Sequence, residues 1–201
     1  MDHKPVAKSN SLRIIGGGWR SRRIQFIDSP KIRPTPDRVR ETLFNWLATN
    51  ISGASCLDLF AGSGALGFEA MSRGADKVVL VEEDARIAAM LKEQKDQFNA
   101  QMIEIRNQDA LHYLQNENQQ YDVIFLDPPF DSDLLEKVIP MILKQQFLNT
   151  NGLIYVESAV QQKDIKNLEL LLETLSCIHE KVSGEVRYAL YKAIYSRNSV
   201  N

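Results

Sequence analysis

From residue 50 onward the chain alternates between two spacings of apolar residues: short runs of β-branched and aliphatic side chains, and longer stretches with charges at helical spacing. The short runs predict strands at 54–60 (ASCLDLF), 77–81, 102–106, 121–126 and 153–157. The longer stretches predict helices at 64–72, 85–99, 110–115 and 132–146, with Pro140 placed to kink the last. Strand and helix in strict succession imply parallel pairing, because parallel neighbours need a crossover and a helix supplies it. The rhythm then breaks. A helical stretch at 165–175 precedes runs at 177–182 and 187–195, and Ser183-Gly184-Glu185 between them predicts an antiparallel hairpin. The expected fold is α/β, with a seven-stranded, mainly parallel sheet that closes on an antiparallel C-terminal edge hairpin. In such a sheet ligands bind at the carboxyl ends of the strands, near the point where strand order reverses.

Ahead of this body, two short apolar-alternating runs within 11–27 flank Gly16-Gly17-Gly18 and predict a small N-terminal β appendage. Prolines keep 30–36 extended, and Thr35-Pro36-Asp37 has the form of a helix start leading into a helix over 39–48. The expected division is therefore 1–36, a basic arm with a small β hairpin, and 37–201, the main domain. Charge sharpens that boundary. The first forty residues hold ten Lys or Arg and three acids, which leaves 14 basic and 23 acidic residues of the chain's 24 and 26 for the remainder. A net charge of -2 thus conceals +7 over the first forty residues and -9 over the rest. A basic arm of this kind suits a polyanion, since Lys and Arg that neutralise phosphates release counterions.

Composition removes other classes. Cys56 and Cys177 lie far apart with no C-x-x-C partner, and His3, His112 and His179 show no ligand spacing, so neither a disulfide framework nor a metal site is expected. No apolar run reaches the roughly 18 residues of a membrane span, and the opening MDHKPVAKSNS lacks the apolar core of a secretory signal. The expectation is a cytoplasmic protein, without a membrane partner, and by default a monomer.

Gly62-Ser63-Gly64-Ala65-Leu66-Gly67 matches G-x-G-x-x-G directly after a predicted strand and at the opening of a helix. Glycines there allow a tight turn and a close backbone approach to a ligand, and the helix start offers unpaired N–H groups. Glu82, at the end of the second strand, stands where an acid accepts hydrogen bonds from ribose hydroxyls. These features fit a dinucleotide and S-adenosylmethionine equally. Asp58, inside the first strand, favours the latter: a carboxylate near the loop suits a methionine amine, or organises the glycine backbone, and is unhelpful to a pyrophosphate. Asp109 and Ala110 follow the third strand, where Asp109 is placed to contact an adenine amine, to cap the next helix, or both.

The fourth strand ends in Asp127-Pro128-Pro129-Phe130. Proline nitrogens carry no hydrogen, so the carbonyls around Pro128 point outward while the fixed φ angles stiffen the loop. The exocyclic amine of a nucleobase is a poor nucleophile because its lone pair is delocalised into the ring. Acceptors from Asp127 and the proline carbonyl, gripping its hydrogens, favour a pyramidal nitrogen with a directed lone pair, and Phe130 stacks on the base to hold that pose. A sulfonium methyl is already activated, so its in-line displacement needs alignment more than a strong base.

LDLFAGSGALG together with DPPF resembles the Rossmann-like class I S-adenosylmethionine-dependent methyltransferases that modify exocyclic amines of nucleic-acid bases. The likeness extends further: Arg13-Ile14-Ile15-Gly16-Gly17, Arg33-Pro34-Thr35, the run from Asp37 to Leu47 and Tyr155-Val156-Glu157-Ser158 resemble the bacterial RsmD family. That resemblance covers nearly the whole chain. It implies S-adenosylmethionine as cofactor, transfer to N2 of a guanine in 16S rRNA, and the small ribosomal subunit as partner. Carried onto this sequence, it implies Asp127, Pro128, Pro129 and Phe130 as the catalytic motif. It implies Asp58, Phe60, Gly62, Gly64, Glu82, Asp109 and Ala110 around the cofactor. Arg33 and Thr35 then line the mouth of the site, and Arg20, Arg22, Arg23 and Arg38 are the candidates for gripping RNA phosphates while the target base is extruded. Trp19 has two readings, stacking on RNA or packing in the small β unit. Three rivals remain at this stage: an adenine-N6 or cytosine-N4 DNA methyltransferase, a catalytically silent RNA-binding assembly factor, and an NAD-dependent oxidoreductase.

Overall fold

The computed structural model describes residues 9–27, 34–130, 132–160, 170–173 and 175–193. In chain order the elements are β1 (Ser9–Arg13), a 3-10 turn (Gly17–Trp19), β2 (Arg23–Ile27), α1 (Asp37–Trp46), β3 (Ser55–Asp58), α2 (Ala65–Ser72), β4 (Lys77–Val81) and α3 (Ala85–Gln97). They continue with β5 (Ile103–Arg106), α4 (Ala110–Asn116), β6 (Tyr121–Leu126), α5 (Leu134–Lys144), β7 (Leu148–Ala159), β8 (Leu175–Ser183) and β9 (Val186–Ala193). The seven-stranded sheet runs β5-β4-β3-β6-β7-β9-β8, parallel from β5 to β7 and antiparallel where β9 pairs with both β7 and β8. Order reverses between β3 and β6. Most of the helix expected at 165–175 lies outside the described residues, within which Leu170, Leu171 and Leu172 are helical.

Side chains of a strand alternate faces, and the sheet separates them into two cores. Cys56, Val78, Leu80, Val123, Phe125, Leu153 and Tyr155 point to one face, under β1, β2, α1, α2 and α3. Leu57, Val79, Val81, Ile124, Leu126, Ile154 and Val156 point to the other, under α4 and α5. Strands buried on both sides explain why these runs are apolar throughout rather than alternating. Gly67 brings α2 down onto the sheet: a Cβ there would lie 2.2 Å from Leu80 Cδ2.

The N-terminal hairpin differs in detail from the pattern read in the sequence. Its first strand lies at 9–13, ahead of Ile14-Ile15, and pairs antiparallel with β2. The glycine run serves instead for a close approach to α2. Gly17 has φ +76°, and a Cβ on it would sit 1.8 Å from the Ser72 carbonyl oxygen. Glu69, fully buried in α2, accepts the backbone N–H groups of Ile15 and Gly16 at 2.8 Å each and the Arg73 Nε at 2.7 Å. Arg40 of α1, also fully buried, donates to the carbonyls of Thr35 (3.2 Å) and Arg13 (3.0 Å) and to Asp37 (2.6 Å), with its remaining terminal nitrogen 3.6 Å from Glu69. A single buried charge pair thereby ties together the hairpin, the segment before α1, and α2.

Removing one partner of a buried ion pair strands the other in a poor solvent for charge, at a typical cost of 3 to 5 kcal/mol. Glu69→Ala should therefore destabilise the protein by about 3 kcal/mol or more, read from urea unfolding. Ala substitution of the exposed Arg20 serves as the comparison and should shift the midpoint little.

Candidate active site

The reversal of strand order between β3 and β6 opens a crevice at the strands' carboxyl ends. Four acids surround it: Asp58 on β3, Glu82 just past β4, Asp127 just past β6 and Glu157 on β7. All four continue the alternation of the face that carries Cys56, Leu80, Phe125 and Tyr155. Register sets their heights. Asp58 pairs with Leu80 and Phe125, so Glu82 and Asp127 each stand one same-face step above it, and Tyr155 pairs with Phe125, so Glu157 stands level with Asp127.

Asp58 is 2% exposed and works as a cap for α2, accepting the Gly67 N–H at 3.2 Å, with the Phe60 N–H as a second donor. α2 needs that acceptor because its N-cap is Gly64, left-handed at φ +76° and without a side chain. Burial pushes the Asp58 carboxyl up to about 7, Gly67 pulls it back, and the charge of Glu82 adds to the rise. Glu82 accepts the N–H of Gly62 at 2.9 Å and of Asp84 at 2.8 Å, so one carboxylate clasps the glycine loop to the loop after β4. A Cβ on Gly62 would meet only the Phe60 carbonyl, at 3.9 Å, which leaves the outer side of the loop open for a ligand.

Across the crevice, Asp127 accepts the Thr35 hydroxyl at 3.3 Å. Burial, with the charges of Glu157 and Asp58, holds its carboxyl well above the ordinary range, and the Thr35 bond offsets a part. Glu157, 2% exposed, accepts the Tyr155 hydroxyl at 2.8 Å, and the Thr35 hydroxyl lies near enough to lower its carboxyl. Burial raises its carboxyl as well, against those two donors. Pro128 is buried, Pro129 exposed and Phe130 half-buried on the rim, and the Pro129 carbonyl is taken by the Ser132 side chain at 2.6 Å.

The other residues singled out in the sequence divide by place. Phe60 is half-buried beside the glycine loop, against the α4–α5 side of the core. Asp109 caps α4 by accepting the His112 N–H at 2.9 Å, and Ala110 is buried behind it. Arg20 and Arg38 are exposed. Arg22 donates to the Gln97 carbonyl at 2.9 Å and lies 3.8 Å over the Phe98 ring, while Arg23 bonds Ser11 across the hairpin. Both are exposed; Arg22 docks the hairpin on the end of α3, and Arg23 ties its two strands together. Trp19 packs edge-on against Phe98 at 5.0 Å and against Phe68, the packing alternative of its two readings. Arg33 lies outside the described residues.

Two residues of the crevice escaped the sequence analysis as site candidates. Glu157 ends a run whose strand is continuous from Leu148 to Ala159, longer than the 153–157 expected, and only the pairing with β6 brings it beside Asp127. Asn107 donates to the carbonyls of Glu82 (2.8 Å) and Glu83 (3.0 Å), joining the rims of β4 and β5. Its signal was its place one residue past a strand end. Among the described residues, no group of His, Cys, Asp or Glu is arranged to hold a metal ion, and no helix is long and apolar enough to cross a membrane.

The sequence profile of the family described as conserved hypothetical protein 95 matches residues 12–192. The chain is 44% identical over 184 residues to ribosomal RNA small subunit methyltransferase D of Escherichia coli (strain K12), covering 92% of this chain and 91% of that protein. A solved structure described as the methyltransferase yhhF from Escherichia coli superposes with a TM-score of 0.80 at 41% identity, covering 92% of this chain and 98% of the other. The Thermus thermophilus 16S rRNA N2 G1207 methyltransferase RsmC, solved with AdoMet and guanosine, shares the fold at a TM-score of 0.72 and 23% identity, over 94% of this chain and 52% of that one.

The raised Asp58 carboxyl carries a pH dependence. In the folded protein it keeps its proton up to about pH 7, whereas an unfolded aspartate loses it near pH 4. Through that window the folded state binds more protons than the unfolded, so this contribution to stability is full below pH 4 and is lost as pH rises to 7. Asp58→Asn keeps an acceptor for Gly67 and removes the titration. Urea unfolding at pH 5 and pH 8 should give the Asn variant a smaller loss of stability between the two than the parent protein.

Proposed function

The chain belongs to the RsmD family, described as conserved hypothetical protein 95, and we propose that it transfers a methyl group from S-adenosylmethionine to the exocyclic N2 amine of a guanine in 16S small-subunit rRNA. Membership of a family of rRNA methyltransferases carries the coarser part of this reading. The finer part rests chiefly on one observation, the Asp-Pro-Pro-Phe end of β6 standing at the strand reversal beside the glycine loop.

The cofactor suits the crevice in charge as well as in shape. The charges of Glu157 and Asp58 raise the Asp127 carboxyl, and those of Glu82 and Glu157 raise Asp58, as in a site short of positive charge. S-adenosylmethionine brings an ammonium and a sulfonium; a dinucleotide would bring two further negative charges, which weighs against the oxidoreductase. Gly62 and Gly64 would let the backbone approach it, Glu82 would take the ribose hydroxyls, and Asp109 with Ala110 would border the adenine, while Phe60 would pack alongside. Once bound, the cofactor supplies a methyl group on a sulfonium centre, open to in-line displacement.

The protein's own residues then act on the amine. Asp127 and the Pro128 carbonyl accept its two hydrogens and direct the nitrogen lone pair, and Phe130 stacks on the base. The stiff proline pair keeps the acceptors in place before the base arrives, which lowers the ordering cost of alignment. Arg20, Arg22, Arg23, Arg33 and Arg38 would guide the RNA, with Thr35 at the mouth of the site beside Asp127 and the protein acting as a monomer on the small ribosomal subunit in the cytoplasm. The basic arm of 1–36 and the methyltransferase domain of 37–201 would divide that work between RNA and chemistry. The same motif on adenine or cytosine of DNA is the alternative, and the 44% identity over 184 residues to a ribosomal RNA small subunit methyltransferase weighs against it.

Purified protein given methyl-labelled S-adenosylmethionine and small subunits lacking the modification should yield labelled N2-methylguanosine on digestion of the RNA. Asp127→Ala should lower the transfer rate on the order of 100-fold or more while cofactor binding persists. Label on duplex DNA in preference to ribosomal subunits would establish the rival substrate, and cofactor binding without any transfer would establish the silent assembly factor.

A further inference from the structure

Glu157 is a buried carboxylate that the reaction just described uses only for its share of the crevice's negative charge. As an acceptor for the Tyr155 and Thr35 hydroxyls, a glutamine would serve equally, without the cost of burying a charge beside Asp127. Its position offers a reason for the charge. Thr35 has one hydroxyl hydrogen, given to Asp127 at 3.3 Å. Glu157, level with Asp127 on the neighbouring strand, has its carboxyl lowered by the same hydroxyl, so a turn of that hydroxyl redirects the hydrogen from one carboxylate to the other. We propose that Glu157 is a positioning residue for methyl transfer, acting through the Thr35 hydroxyl to receive the proton that the target amine gives up to Asp127.

The step balances. As the nitrogen–carbon bond forms and the carbon–sulfur bond breaks, the amine releases one proton to an Asp127 oxygen. Asp127 then donates it to Thr35 Oγ1, whose own hydrogen passes to Glu157, and the Asp127 carboxylate is restored. The groups facing this chain are Asp58 from β3, Tyr155 from β7 and Tyr188 from β9, with Arg40 of α1 bonded to the Thr35 carbonyl. Burial raises both carboxyl groups, and the charges of Glu157 and Asp58 raise Asp127 further, which is what an acceptor of the released proton needs.

This inference rests on amine methylation being the activity, so the wild-type protein is assayed first: labelled N2-methylguanosine establishes that reading by itself. Single-turnover methyl transfer is then followed from pH 5 to 9 for the wild type, Glu157→Gln, Thr35→Val and Thr35→Ser, with cofactor affinity measured by titration calorimetry. Glu157→Gln and Thr35→Val should each lower the plateau rate about 10- to 100-fold, with the double variant little worse than either, because one chain is broken twice. The acid limb of the Glu157→Gln profile should move to lower pH, since Asp127 loses a repelling neighbour. Thr35→Ser should restore most of the rate. An unmoved acid limb, additive losses, or weakened cofactor binding with an unchanged rate would overturn the proposal, the last by assigning Glu157 to the cofactor's positive charge instead.

Discussion

Parallel strands in register place equivalent residues side by side, and in this protein that constraint gathers acids. One face of the sheet is apolar through Cys56, Leu80, Phe125 and Tyr155, and its next positions are Asp58, Glu82, Asp127 and Glu157. The alternation that builds the core therefore also builds the crevice floor. Burying several carboxylates together is unfavourable unless something compensates. Compensation comes in part from backbone N–H groups: Gly67 for Asp58, and Gly62 and Asp84 for Glu82. The glycine loop is held in shape by acids that a ligand would also address, so the loop's rigidity and the site's demand for a cation have one origin.

The buried Arg40–Glu69 pair connects the N-terminal hairpin to that crevice. Arg40 bonds the Thr35 carbonyl, and the Thr35 hydroxyl bonds Asp127. Glu69, on the far side of Arg40, holds Ile15 and Gly16 of the hairpin. The path from hairpin to carboxylate thus runs through a few hydrogen bonds and one ion pair at 3.6 Å, within the core that β1, β2, α1 and α2 share. Arginines that look like a nucleic-acid grip in the sequence also have structural contacts: Arg22 docks the hairpin over Phe98, and Arg23 bonds Ser11 within it. A count of charges along a chain does not tell a guanidinium facing solvent from one whose donors are already engaged.

Periodicity made the order of strands and helices legible, down to the C-terminal hairpin, because strands buried on both faces and amphipathic helices leave opposite patterns. The hairpin's first strand was less so. Ser9–Arg13 is mostly polar, while the apolar Ile14-Ile15 beside it spends its backbone on Glu69 and the loop rather than on a strand. The glycine loop and the Asp-Pro-Pro-Phe motif stood out because their residue types have few other uses in succession. Glu157 did not, since a glutamate at the end of an apolar run has no local mark.

By itself, the sequence determined the element order, the glycine loop, the proline-stiffened strand end and the uneven charge of arm and body, all of them properties of neighbours along the chain. Only the tertiary structure decided that Glu157 stands level with Asp127, that Thr35 bridges them, and that Arg40 and Glu69 meet in the core. The reason is distance along the chain. Thr35 and Asp127 are separated by 92 positions, and no local pattern specifies which strand lies beside which, or in what register; packing of the whole sheet against its helices does.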